Sequence, residues 1–166
     1  MQKIRWIERA GRCVGAMEFS VAALSLEKVG HPRAIIRHVN RFLEWIGLKQ
    51  KLHQGTQSPP LVSVGDIWRA SVGENVGSEI NGKSRLFSRP VIIFKKLAHG
   101  FYFVIPTTTK SKLGSWFVAF RQADRKMIAS LHQARAIDHR RLSTKLGQLD
   151  DSDFQSVREG FWRLYK

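Results

Sequence analysis

Beyond residue 60 the hydrophobic positions fall into short runs rich in aromatic and β-branched residues: "VGDIWRASV" (64–72), "RPVIIFKKL" (89–97), "GFYFVIP" (100–106), "SWFVAF" (115–120) and "MIASLHQARAI" (127–137). Such runs bounded by turn residues predict strands. The turns "AHG" and "KLG" are tight enough to predict antiparallel neighbours. Five strands with no helix between them predict a small, strongly bent sheet or barrel, so the chain reads as mainly β with some helix. The tail "LDDSDFQSVREGFWRLYK" changes period: Phe154, Val157, Phe161 and Leu164 share one helical face, with Asp150 or Asp151 as N-cap.

Upstream the pattern is different. From Arg33 to His53, the residues Ile36, Val39, Leu43 and Ile46 recur at helical steps, predicting an amphipathic helix that packs this stripe on the main domain. Its basic positions Arg33, Arg37 and Arg41 read as a solvated face. "HQGTQSPP" (53–60) is a polar linker closed by two prolines. Residues 1–32 carry no strong period and end at the breaker "GHP". The expected organisation is therefore a poorly specified segment (1–32), a helix and linker (33–60) and a main domain (61–166).

Composition narrows the function. At 166 residues and 43% hydrophobic content, the chain can bury one sizeable core. A formal net charge of +15 points to a polyanion, with nucleic acid ahead of a membrane surface or an acidic protein. One cysteine, Cys13, permits no intramolecular disulfide and no cysteine-based zinc cluster, which favours an intracellular, cytoplasmic location. His31, His38, His53, His99, His132 and His139 show no metal-binding spacing, so no metal and no cofactor are expected. Glu18 interrupts the apolar stretch that follows the basic start, against a secretory signal, and no apolar run is long enough to span a membrane.

Two segments carry candidate chemistry. "GSEINGKSRLFSRPVIIF" (77–94) opens on an acid in a Gly-flanked turn, passes through three basic residues and ends in a Pro-led strand. "VIPTTTKSK" (104–112) ends a strand with three threonines and two lysines. Both look like strand ends facing a phosphate. Taken singly, Glu79 reads equally as a solvated loop acid, Arg89 as an exposed edge charge and the threonines as ordinary strand residues.

Five segments in order resemble the MazF/PemK family of type II toxins, the RNA-cleaving toxins of toxin–antitoxin modules: "GDIW" (65–68), "GENVGSE" with Gly82 and "RPVIIF" (73–94), "VIPTTTK" (104–110), "QARAIDHRRL" (133–142) and "KLGQLDDSDF" (145–154). The resemblance covers residues 61–163 and implies an SH3-like β-barrel of about five to seven strands, with a C-terminal helix and here an N-terminal helical extension. It also implies metal-independent, sequence-specific cleavage of single-stranded RNA by 2′-hydroxyl attack, leaving a 2′,3′-cyclic phosphate and a 5′-hydroxyl. On the family pattern Glu79 is the base or an orienting acid, Arg89 the catalytic arginine and Thr108 the catalytic threonine. Thr107, Thr109, Lys110 and Lys112, which flank that threonine, are expected to contact RNA, as are Gln133 and Arg135, which match polar positions near the RNA groove.

The sequence departs from the family in two places. "KSRLFS" (83–88) lengthens the loop before Arg89 and carries Lys83, Arg85 and Phe87, while Ile80 replaces the glutamine after the motif glutamate. The basic pair and aromatic fit phosphate and base contacts, a mobile flap, or a Phe87 folded back onto the core. The partners implied are single-stranded RNA, a cognate acidic antitoxin and a second copy of the chain, with no membrane. A non-cleaving binding module of the same barrel, or a toxin blocked by its own N-terminal extension, remains the alternative.

Overall fold

The computed structural model describes residues 32–166, with side chains from His38 onward. Cys13, His31 and the rest of segment 1–31 lie outside the described residues, as do the side chains of Arg33, Ile36 and Arg37. Residues 37–166 form one compact unit that contains the sheet and every candidate site residue.

In chain order the elements are helix α1 (Pro32–Gln54), strands β1 (Asp66–Ser71), β2 (Ser88–Ala98), β3 (Phe101–Thr108), β4 (Phe117–Gln122), β5 (Arg125–Ser130), β6 (Arg135–Asp138) and β7 (Leu142–Gln148), and helix α2 (Asp151–Leu164). The strands form one antiparallel sheet in the order β4-β5-β3-β2-β1-β7, with β6 also on β3. The predicted β architecture and C-terminal helix are present, but the sheet is not closed: β4 and β7 end the path without a ladder between them. Side chains span that gap. Gln122 Nε2 donates to the Leu146 carbonyl at 3.0 Å, and the Arg121 N–H donates to Asp153 Oδ2 of α2 at 2.9 Å. Exposed edges invite unwanted pairing, and these bonds cover both.

Several boundaries differ from the sequence reading. "AHG" is a tight hairpin between β2 and β3, with Gly100 at φ +71°. "KLG" is not, because β3 and β4 do not pair and β5 lies between them. The run 127–137 is two strands, broken by a 3-10 turn at Leu131–Gln133 that passes the chain from one part of β3 to another. β7 lacks the apolar alternation of a strand and its burial is mostly shallow, so its existence rests on pairing with β1. Asp150 is the N-cap of α2, without a side-chain cap bond.

Both faces of the sheet are buried. On one, Ile67, Ile92, Phe94, Ile105, Phe120 and Met127 meet Val157 and Phe161 of α2, and Phe161 lies 4.7 Å from Phe94 between ring centroids. On the other, Trp68, Ala70, Val72, Val91, Ile93, Tyr102, Val104 and Ile137 form a second core. Alternation along each strand sends neighbouring residues to opposite cores, so a residue's parity fixes which core it joins.

Helix α1 reverses its predicted face. Val39, Leu43 and Ile46 are 52%, 59% and 48% exposed, and the buried side is instead Trp45, with Arg41, Leu48 and Leu52 half-buried beside it. Arg41 is not solvated: its Nε donates to Glu74 Oε2 at 2.6 Å, its Nη2 to the Gly82 carbonyl at 2.7 Å, and its guanidinium sits 4.6 Å over the Phe87 ring. Specific polar anchors therefore outweigh the apolar stripe in choosing which side of α1 faces the sheet.

Candidate functional site

The connection between β1 and β2 is a loop laced from several directions. The Asn75 N–H donates to Asn81 Oδ1 at 2.6 Å, and Asn75 Nδ2 donates to the Ile80 carbonyl at 2.8 Å. Gln133 grips the loop on both sides of Glu79: its Oε1 accepts from the Ile80 N–H at 2.9 Å and its Nε2 donates to the Ser78 carbonyl at 3.2 Å. Gln133 is thus spent on holding the loop that carries Glu79. The sequence placed it near the groove, and its bonds make it a support for the acid. Asn75 drew no attention in the sequence, although an Asn in a Gly-rich stretch is a ready loop fastener.

Close approach explains the glycines. A Cβ on Gly82 would meet the Phe87 carbonyl oxygen at 1.8 Å, so only glycine fits there. The Gly82 N–H donates to the Gly73 carbonyl at 2.7 Å, and Gly73, at φ +101°, lies under the Trp45 ring of α1.

The inserted "KSRLFS" is a short hairpin. Lys83 and Ser88 exchange backbone bonds of 2.9 Å, and Ser84 and Phe87 turn the corner at φ +59° and +47°. Phe87 is fully buried, 5.5 Å from Trp45 between ring centroids. Its assignment as a base-stacking residue is therefore corrected: it has folded back onto the core, where burying a large ring offsets the cost of a left-handed backbone, about 1–2 kcal/mol. Lys83 and Arg85 are exposed.

Arg89 is half-buried at the start of β2, its Nε donating to the Asn81 carbonyl, the residue before the one that Arg41 holds. Burial lowers its pKa from the ordinary arginine range, and among the described residues no carboxylate pairs with it. It remains cationic at neutral pH. The β2–β3 register ends with Val91 opposite Pro106, beyond which Arg89 continues beside β1 and Thr108 beside β5. Thr107 donates its hydroxyl to the Pro90 carbonyl at 3.1 Å.

Thr107 is itself fully buried, so its assignment to an RNA surface is corrected: strand parity turns it inward. Thr108 is half-buried, with Oγ1 accepting from the Lys110 N–H at 3.2 Å, and Thr109, Lys110 and Lys112 are exposed beyond it. Arg89 is thus tied to the loop bearing Glu79 through the Asn81 carbonyl, Thr108 and the exposed lysines follow at the end of β3, and neither Arg89 nor Thr108 lines the cleft that Glu79 enters.

Glu79 is exposed and opens into a cleft of about 360 Å³, whose other walls include Phe42, Trp45 and Lys49 of α1 and Arg135 and Arg141 around β6. Arg141 donates Nη1 to the Ser71 carbonyl at 3.1 Å and lies 5.3 Å over the Trp45 ring. Its pKa is lowered by burial first and by the charge of Arg135 second, against a smaller opposing pull from Asp138. The sequence did not single out Arg141, Trp45 or Lys49. Among the described residues, no group of His, Cys, Asp and Glu is placed to hold a metal ion, and no helix is long and apolar enough to cross a membrane.

Asp66, from the "GDIW" segment, serves the scaffold. It is fully buried; the Lys145 ammonium lies 2.7 Å from Oδ1, and the Ser63 N–H donates to Oδ2 at 2.9 Å. Burial raises its pKa, but the bonds from Lys145, Ser63 and Trp68 together hold it below the ordinary 3.8.

Comparison with known proteins agrees with this architecture. No curated protein matches the sequence. Among solved structures, MazF from Deinococcus radiodurans is similar with a TM-score of 0.52 at 18% identity, covering 66% of this chain and 98% of its own. An endoribonuclease in complex with its cognate antitoxin, from a mycobacterial species, is similar with a TM-score of 0.51 at 13% identity, over 63% of this chain and 95% of its own. At such identities the likeness is one of fold. The family model for the PemK-like, MazF-like toxin of type II toxin–antitoxin systems matches residues 63–164, more than half of the chain, and the protein belongs to that family.

Proposed function

We propose that residues 61–166 form the toxin domain of a type II toxin–antitoxin module and that this domain is a metal-independent endoribonuclease acting on single-stranded RNA. The observation that carries the reading is Arg89: a half-buried guanidinium without a carboxylate partner among the described residues, tied through the Asn81 carbonyl to the loop that bears Glu79. Such a cation is poised for an anion.

In this reading the ribose 2′-oxygen attacks the adjacent phosphorus while its proton passes to the Glu79 carboxylate. The bond from phosphorus to the 5′-oxygen breaks, and that oxygen leaves as a hydroxyl after taking a proton from solvent. Arg89 and the Thr108 hydroxyl donate hydrogen bonds to the non-bridging oxygens as negative charge builds there. The products are a 2′,3′-cyclic phosphate and a 5′-hydroxyl. Lys83, Arg85, Thr109, Lys110 and Lys112 supply exposed polar and basic contacts for the strand, and Arg135 supplies one from the cleft.

A homodimer acting in the cytoplasm, neutralised by an acidic antitoxin, completes the proposal, since a net charge of +15 favours capture by an acidic extended peptide. The test is to incubate purified protein with total RNA and examine the new ends. Fragments whose 5′ ends accept phosphate from a kinase without prior phosphatase treatment are expected. Intact RNA, with growth arrest still caused by the protein, would replace the nuclease by a non-cleaving binding module.

A further inference from the structure

The cleft beside Glu79 owes one wall to α1, which precedes the family-matched residues 63–164. That wall consists of Phe42, Trp45 and Lys49; Arg135 and Arg141 also line the cleft, as do Glu79 and Glu74, the latter paired with Arg41. Two features suit a ligand there. Phe42 is a large aromatic left 47% exposed at the cleft mouth. Arg135 and Arg141 are both half-buried and their charges repel each other, an arrangement that an anion between them would relieve.

We propose that this cleft is a nucleotide subsite for single-stranded RNA, with a backbone phosphate held by Arg135 and Arg141, Lys49 reinforcing the charge, and one base stacked on Phe42. The inference rests on the ribonuclease reading and adds a contact from outside the toxin domain. A volume of about 360 Å³ is at the small end of the ~300–1,000 Å³ range of ligand clefts, suited to one nucleotide more than to a length of peptide. Aromatic and guanidinium surfaces side by side are the usual means of holding an unpaired base and its phosphate. The cleft also opens at Glu79, so a nucleotide there would adjoin the reacting ribose.

The full chain carrying Arg89→Ala gives a binding assay separated from cleavage. Its affinity for a fluorescent single-stranded RNA, holding the cleaved sequence or a random pool if nothing is cut, is measured across salt concentrations. Adding Phe42→Ala should weaken binding roughly fivefold to a hundredfold, the cost of one lost base stack, while Phe42→Tyr should retain it. Adding Lys49→Ala should make the logarithmic salt dependence shallower by about 0.7, one released counterion from a single strand. Phe42 is half-exposed, and an unchanged melting temperature verifies the fold of each variant. If Phe42→Ala binds as tightly as its parent while the native chain cleaves RNA, the subsite is wrong and the nuclease reading stands. If neither the native chain nor any variant binds RNA, both fall. If Phe42→Ala spares RNA but loses an acidic antitoxin peptide, the cleft belongs to the protein partner and the subsite is overturned.

Discussion

The two helices are fastened to the domain by different physics. Helix α2 lays Phe154, Val157, Phe161 and Leu164 into an apolar core, and Phe161 touches the rings of Phe94 and Phe103. Helix α1 holds on by Trp45, the Arg41 fork and a cation over an aromatic, and leaves its apolar stripe in solvent and a cleft at its flank. Close packing suits a face whose task is stability. A face fastened at a few polar points leaves room for a ligand and fixes the loop that meets it.

That contrast is breakable. The largest effect should come from Phe161→Ala, which removes a buried ring from the α2 face and should lower unfolding free energy by about 3–5 kcal/mol in urea titration. Arg89→Ala should do the reverse: cleavage about a hundredfold to a thousandfold slower, equivalent to ~2.7–4 kcal/mol, with only about 1 kcal/mol of stability lost with its bond to the Asn81 carbonyl. If both variants lose stability equally, the division of labour is wrong.

Asp66→Asn should cost about 1–3 kcal/mol of stability, because the neutral amide loses its ion pair with Lys145 and leaves a buried polar group poorly matched. The pH dependence gives an independent check. Asp66 has a folded pKa below its unfolded value, so its contribution is present above pH ~4 and disappears as pH falls through the lower folded value. Urea midpoints from pH 7 down to pH 2 should therefore decline less steeply in Asp66→Asn than in the native protein. Smallest is Arg41→Ala: about 1 kcal/mol in stability, and cleavage slowed about tenfold through the loosened Glu79 loop. An unchanged salt dependence of RNA binding in that variant would show that Arg41 acts on the loop and does not touch the phosphate.

These contrasts also separate what the sequence could and could not disclose. Strands such as "PVIIF" and the spacing of Phe154, Val157, Phe161 and Leu164 were legible because a packed apolar face imposes a period on the chain. The α1 face was misjudged for the converse reason: its orientation depends on Arg41 meeting Glu74 and Gly82, contacts at long sequence separation that no local period encodes. Strand β7 escaped because it pairs with β1 without alternating burial.

At the candidate site, Arg89 and Thr108 rest on the motif resemblance, whereas Phe87 and Thr107, expected to contact RNA, are buried. For Phe87 the cause is a hairpin closed by Lys83 and Ser88, and for Thr107 it is strand parity, one residue from Thr108. Arg141 and Trp45 join the cleft because the Arg141 guanidinium lies over the Trp45 ring, a contact across long sequence separation that composition cannot reveal.

The central claim is that this end of the sheet cleaves RNA through its own ribose. The most direct measurement replaces the single ribose at the mapped cut site with deoxyribose in an otherwise unmodified RNA oligonucleotide, and follows cleavage with and without EDTA. The account predicts that the deoxy substrate binds but stays intact, while the all-ribose substrate is cut at the same rate in EDTA. Cleavage of the deoxy substrate, or loss of cleavage in EDTA, would contradict it.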